Sequence, residues 1–330
     1  MLTLTKSLFA LMIGFILSTV LGYFLIPILR KIKVGQRINV YVDNHRKKAG
    51  TPTMGGLIFI IPTILTIIIL LLTKKIEFSI NLLIVIFVFI SYSLIGFLDD
   101  YISIKRNKNE GLTQLQKLFF QFIVALIFYL LYRTYIDNDS VLEITLLGIK
   151  WKLGWGYGIF ILLLLVGSSN AVNLTDGLDG LSGGLSVIAF ISYGLISWGS
   201  FWIVGYQDIG IFCFVLVGSL LGFLVYNTNP AKVFMGDTGS LTLGATLATV
   251  AVLTSHELSL ALIGGVFVIE TLTVIIQIIS VRFFHKKTFL MTPIHHHFER
   301  LGWIETDIVK LFWIVGLIFS LLALIYGVWL

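Results

Sequence analysis

The sequence predicts an all-α polytopic membrane protein of about ten transmembrane helices, built as one domain over residues 1–330, with both termini outside the cytoplasm. Three observations lead there. Of the 330 residues, 57% are hydrophobic and only 12% are charged, against roughly a quarter charged in a soluble domain, so the bilayer must be the main solvent. The apolar residues fall in runs close to the ~20 residues that a spanning helix needs. Lys and Arg are shared unevenly between alternate loops, as the positive-inside rule expects of a multi-pass chain.

Read between polar breaks, the apolar runs cover 8–29, 57–73, 80–98, 118–136 and 156–172, then 185–204, 209–226, 240–254, 259–281 and 308–329. The first, from Leu8 to Leu29, exceeds a signal-peptide core and has no small-residue cleavage site after it, so it is expected to stay as a span. Between the fourth and fifth runs, the stretch Asp137 to Gly156 alternates apolar and polar residues and turns at Gly148, which predicts a small external β-hairpin. The eighth run is short and rich in Thr and Gly. The ninth carries Glu270 and Gln277, and is expected to be tilted, broken or beside a wet cavity.

With ten spans, the odd-numbered loops receive 17 of the 23 Lys and Arg residues, counting Lys310 at a helix start; Lys6, Lys74, Lys75, Arg133, Lys150 and Lys152 fall opposite. The odd loops are therefore assigned to the cytoplasm. The net charge of +6 would suggest nucleic acid in a soluble chain; here topology and phosphate binding account for it, and no nucleic-acid partner is expected. Cys213, the only cysteine, lies in an apolar run, which excludes an internal disulfide and argues against thiol chemistry.

The unusual polar residues gather in those same odd loops. Asp99 and Asp100 close the third run. A solvated helix end would explain them, but two adjacent carboxylates repel each other and oppose the macrodipole at a helix C-terminus, which favours a function. The fifth loop, Asn173-Leu-Thr-Asp176-Gly-Leu-Asp179-Gly, has oxygen ligands and glycines that suit a hard cation or a phosphate, or else forms a polar turn. Asp237, in Met-Gly-Asp-Thr-Gly-Ser before the eighth run, reads equally as an N-cap region or a ligand. His295, His296 and His297 are consecutive and cannot share one face, so a three-histidine metal site from this run is disfavoured; donation to phosphate or sugar oxygens suits them better. The first loop adds Lys48 and Thr51 beside glycines, and Lys117 enters the fourth run, where a lone lysine would ordinarily snorkel.

Five segments together resemble the bacterial phospho-MurNAc-pentapeptide transferase family, within the polyprenyl-phosphate sugar-1-phosphate transferase superfamily. They are Ala-Gly-Thr-Pro-Thr-Met-Gly-Gly from Ala49, Leu-Asp-Asp-Tyr from Leu98, Asn-Leu-Thr-Asp-Gly-Leu-Asp-Gly from Asn173, Val-Phe-Met-Gly-Asp-Thr-Gly-Ser from Val233 and Pro-Ile-His-His-His-Phe-Glu from Pro293. The acidic pair and Gly-Asp loop belong to the wider superfamily; the triple histidine with Gly-Thr-Pro-Thr-Met-Gly-Gly points to the muramoyl-pentapeptide branch.

The resemblance implies transfer of phospho-MurNAc-pentapeptide from UDP-MurNAc-pentapeptide to undecaprenyl phosphate, giving lipid I and UMP with Mg2+, by a homodimer in the bacterial cell membrane. By the same resemblance Asp237 binds Mg2+, with Asp176 a further candidate ligand, and Asp99 or Asp100 acts as base or orienting group. Asp176 and Asp179 hold the diphosphate, Lys48, Thr51 and Lys117 contact phosphate, His295 and His296 contact sugar or pyrophosphate, Asn227 and Phe234 contact uracil, and Asn173 binds substrate. Ser103 stands where many members carry a lysine. The competing readings are a transferase using UDP-GlcNAc with the same lipid and, from another class, a transporter. A transporter should place ionisable residues at midplane on facing helices, whereas only Glu270 among the acids lies well inside a span.

Overall fold

The structure, a computed structural model, describes residues 2–32, 50–106, 111–136, 141–144, 149–199 and 206–326. The chain is mostly helical: α1 (Leu2–Lys31), α2 (Leu57–Leu72), α3 (Ile80–Arg106), α4 (Gln114–Tyr135), a hairpin of β1 (Val141–Ile144) and β2 (Ile149–Lys152), α5 (Trp155–Thr175), α6 (Leu181–Gly199), α7 (Gln207–Asn227), α8 (Gly236–Leu253), α9 (Leu260–Ile263), α10 (Gly265–Phe284), α11 (Ile294–Arg300) and α12 (Glu305–Leu324). Within the described residues, each apolar run of the sequence is helix over most of its length. Among the described residues, eight helices are long and apolar enough to cross a membrane: α1, α3, α4, α5, α6, α7, α10 and α12. The chain is a multi-pass membrane protein.

The two weaker runs have physical explanations. Helix α8 is buried along Thr238–Leu253 and packs against α3 and α5. A helix enclosed by other helices needs small side chains for close approach, not a lipid-facing apolar surface. Its threonines bond back along the helix, Thr242 Oγ1 to Thr238 O and Thr246 Oγ1 to Thr242 O at 2.7 Å each, so no hydroxyl there meets an apolar neighbour unsatisfied. The ninth run is broken at Gly264, between α9 and α10, and Glu270 within it is buried.

The hairpin pairs Val141 with Lys152 and Ile144 with Ile149, antiparallel; Gly148, the expected turn, lies outside the described residues. It joins the end of α4 to the start of α5. Lys117 begins α4 and Asn173 ends α5, and both reach Asp237, so the hairpin occupies the opposite end of the bundle from that aspartate.

Candidate active site

One end of the bundle collects the polar loops that alternate along the sequence. The segment before α2 pairs with the one before α8: Phe234 N donates to Pro52 O (2.8 Å), Gly55 N to Phe234 O (2.8 Å) and Gly56 N to Met235 O (2.9 Å). These bonds seat the start of α8 beside the end of α3. Gly236 makes the entry, with φ +74°, a conformation costly to residues bearing Cβ; a Cβ there would also lie 2.5 Å from Asp100 Oδ2 and 2.6 Å from Thr53 Oγ1.

Asp100 caps α8 from another helix. Its Oδ2 accepts from Thr238 N (3.0 Å) and Thr238 Oγ1 (2.6 Å), and Oδ1 accepts from Asp237 N at 3.3 Å. A carboxylate at a helix N-terminus satisfies free amides and complements the macrodipole. The role sought for Asp237's own loop, a cap, thus falls to Asp100, leaving the Asp237 carboxylate for other partners.

Those partners come from α4 and α5. Lys117 Nζ donates to Asp237 Oδ2 and lies 3.3 Å from Asp99 Oδ1. Asn173 Nδ2 donates to Asp237 Oδ1 and to Ser240 Oγ, both at 2.8 Å. Asp99 Oδ1 also accepts from Leu112 N at 2.9 Å. Lys117 is aimed by its helix start: Thr113 caps α4 in a capping box, with Gln116 N donating to Thr113 Oγ1 (3.3 Å) and Thr113 N to Gln116 Oε1 (3.0 Å). The Thr-x-x-Gln spacing is present in the sequence, as is the candidate Lys117 after it; the lysine's pairing with Asp237 and Asp99 is not.

Asp99, Asp100 and Asp237 each offer an oxygen within 4.8 Å of the others. Such a set of hard oxygen donors can hold a divalent metal. Asp176, just past α5, is half-buried, and its carboxylate has no hydrogen-bond partner among the described residues. Burial first, then the carboxylates of Asp237, Asp100 and Asp179, hold its carboxyl well above the usual carboxylate range. A fourth acid facing that set without a donor of its own is what a cation would relieve.

Several other expected site residues bond to the surrounding loops. Asp179 is buried, and its Oδ2 accepts from Asn229 Nδ2 (3.1 Å) and Ala231 N (3.0 Å), while its own N donates to Glu305 Oε1 (2.8 Å). Asn227 uses both ends of its amide between loops: Oδ1 accepts from Gly180 N (3.1 Å) and Nδ2 donates to Val233 O (3.0 Å). Phe234 is half-buried and shares the backbone pairing with Pro52, and Thr51 is half-buried next to it. His295 is wholly buried with Nδ1 3.1 Å from Glu270 Oε1. His296, partly exposed, lies 2.6 Å from Glu299 Oε2. The triple histidine forms a short helix, α11, that the apolar pattern did not reveal. Lys48 lies outside the described residues. Asn229 and Glu305 were missed, and nothing in a lone asparagine or a helix-start glutamate marks them.

A helical membrane bundle with acids and a lysine gathered at one end, matched over residues 82–255 by the family model described as Glycosyl transferase family 4, has the make-up of a membrane glycosyl transferase. A shorter match, described as Phospho-N-acetylmuramoyl-pentapeptide-transferase signature 1, covers residues 48–60. Proteins named phospho-N-acetylmuramoyl-pentapeptide-transferase are similar over nearly the whole chain: that of Geobacillus sp. (strain WCH70) is 47% identical over 97% of this chain and 98% of its own, and that of Bacillus subtilis (strain 168) is 47% identical over 98% of each. That of Oceanobacillus iheyensis is 45% identical over 97% of each. The chain belongs to the phospho-N-acetylmuramoyl-pentapeptide-transferase family.

Proposed function

We propose that this chain transfers phospho-MurNAc-pentapeptide from UDP-MurNAc-pentapeptide to undecaprenyl phosphate, giving lipid I and UMP, at the cytoplasmic face of a bacterial cell membrane. Mg2+ is the cation, ten helices span the bilayer with both termini outside, and the working unit is a homodimer, as the family resemblance implies. The observation that carries the reading is the convergence of Asp99, Asp100 and Asp237 within 4.8 Å, with Lys117 and Asn173 both bonded to Asp237.

In the reaction, an oxygen of undecaprenyl phosphate attacks the phosphorus that bears the sugar. The bond from that phosphorus to the oxygen bridging toward uridine breaks, and UMP leaves with the electron pair. Phosphoryl transfer of this kind asks mainly for positioning and charge compensation. A bound divalent cation supplies charge neutralisation on the phosphate oxygens; Asp237, Asp99 and Asp176 are the residues to hold it. Lys117 places positive charge beside Asp99 and Asp237, where the diphosphate must lie. Asn173 fixes the rotamer of Asp237, and Asp100 holds the α8 N-terminus that carries it. No strong base is required, because a phosphate monoester with a second pKa of about 6 is largely dianionic at neutral pH. Thr51, Lys48 and His296 contact phosphate and sugar, as the family resemblance implies; Asp179 and Asn227 act by holding the loops together.

The test is Asp237→Asn in purified protein, assayed for UMP release with UDP-MurNAc-pentapeptide, undecaprenyl phosphate and Mg2+. Turnover is expected to vanish while the melting temperature stays near that of the wild type. Normal Mg2+-dependent turnover in that variant would refute the assignment.

A further inference from the structure

We infer that Glu270 and His295 form a buried positioning pair that sets the Asp176 loop for its ligand, with Gln277 as its second anchor. This rests on the reading of Asp176 as a residue that holds the cation. Both members of the pair are fully buried, with His295 Nδ1 3.1 Å from Glu270 Oε1. A carboxylate and an imidazole in such a place are costly, and the cost is tolerated where the pair specifies one geometry. Nδ1 of the ring faces Glu270 Oε1, which leaves the Nε2 edge turned away from it.

That Nε2 edge meets the loop. A Cβ built on Gly177 would lie 2.3 Å from His295 Nε2 and 3.0 Å from Cε1, so the ring edge lies against the glycine and no side chain fits between. Gly177 follows Asp176, whose carboxylate has no donor among the described residues. The ring is therefore the wall against which the loop sets its direction. His295 Nε2 and Glu270 Oε2 are buried without hydrogen-bond partners among the described residues, so the ring is held in place by its single bond to Glu270.

Gln277 holds the other end. Seven residues along α10, on the same face as Glu270, its Oε1 accepts from Thr288 N and Phe289 N, and its Nε2 donates to Phe289 O, each at 3.0 Å. Leu290 N then donates to His297 Nδ1 at 3.1 Å. Helix α10 thus holds α11 directly through Glu270 and the loop leading to it through Gln277. This is a reason for Glu270 and Gln277 to be there that does not involve transport.

The experiment compares Glu270→Leu, Glu270→Gln, Gln277→Leu and Asp176→Asn in the full-length purified protein. Two quantities are read: the Mg2+ concentration giving half-maximal UMP release, and hydrogen exchange of the amides of residues 176–180. Loss of a group that orients a metal-binding residue typically weakens metal affinity about 10- to 100-fold. Glu270→Leu is expected to raise the half-saturating Mg2+ roughly 10-fold or more, with kcat largely recovered at saturating Mg2+, and to speed exchange at 176–180. Glu270→Gln keeps a hydrogen-bonding partner for Nδ1 and is expected to match wild type in both. Unchanged Mg2+ dependence and exchange in Glu270→Leu, or a uniform loss of kcat without either change, would overturn the inference. Should Glu270→Leu fail to fold, Gln277→Leu decides by the same two readouts. If Asp176→Asn leaves Mg2+ dependence untouched, the reading of Asp176 itself fails, whatever the Glu270 variants do.

Discussion

Replacing Lys117 with methionine keeps the length of the side chain and removes its charge from between Asp99 and Asp237. At 3.3 Å and an effective dielectric of about 20, attraction to Asp99 alone is 332/(20 × 3.3), about 5 kcal/mol gross. The three side chains retain 20%, 12% and 21% exposure, so screening and the lysine's own desolvation offset much of this, leaving a net loss of about 2–3 kcal/mol. The apparent melting temperature of the metal-free variant is expected to fall by roughly 5 °C. The uncompensated carboxylates should then bind a cation more tightly, so added Mg2+ raises the melting temperature more in the variant than in wild type. Turnover needs the lysine on the diphosphate itself and is expected to drop about 100- to 1,000-fold, the usual loss on deleting one electrostatic stabiliser of a transition state. Thermal melts with and without Mg2+, and UMP release at saturating substrate, measure all three. Wild-type turnover in Lys117→Met, or a melting temperature unmoved in the metal-free state, would refute this reasoning.

Gly236→Ala should cost about 1–2 kcal/mol for the positive φ alone and, by pushing Asp100 from the α8 N-terminus, abolish most UMP release; near-normal activity would count against the cap. Thr113→Ala is expected to cost about 1 kcal/mol in stability as a lost N-cap, and to weaken turnover by loosening Lys117, as melts and initial rates will show. Asp176 has a carboxyl raised by burial and by its acidic neighbours, so the folded state holds its proton more tightly than the unfolded chain. Stability from that protonation is present at acid pH and is lost as pH rises through the raised value. Metal-free Asp176→Asn should accordingly melt above wild type at about pH 8 and not at about pH 4; the reverse order in melts across that range would contradict the assignment. Asp179→Asn should lower stability through weaker bonds from Asn229 and Ala231 while leaving the Mg2+ requirement unchanged, which a titration of UMP release checks.

How much of this was legible in the sequence depends on which contacts are local. Within the described residues each apolar run is helix over most of its length, because burial in lipid forces the backbone to satisfy itself within the segment. The hairpin between α4 and α5 showed in its alternation for the same local reason. Asp99, Asp100, Asp176 and Asp237 stood out because acids at helix ends are conspicuous in a chain with so few charges. Their division of labour was not legible. That Asp100 caps α8, that Asp179 ties Asn229 and Ala231, and that Asn227 bridges Gly180 to Val233 depend on residues brought together from distant parts of the chain. His295 and His296 read alike as sugar or pyrophosphate contacts, because consecutive histidines carry no sign of which one faces inward; the burial of His295 beside Gly177 and Glu270 depends on distant contacts. Lys117 reads alone as a snorkelling lysine and by resemblance as a phosphate contact; its bond to Asp237 depends on where α8 lies.

The central claim, that the acids, Lys117 and Asn173 form the phosphoryl-transfer site of a muramoyl-pentapeptide transferase, is tested most directly by substrate choice in purified protein. With undecaprenyl phosphate and Mg2+ present, UDP-MurNAc-pentapeptide and UDP-GlcNAc are supplied separately, and UMP and the lipid product are measured. UMP and lipid I formed from UDP-MurNAc-pentapeptide, and lost in Asp237→Asn, is the result expected. UMP release with UDP-GlcNAc alone would contradict it.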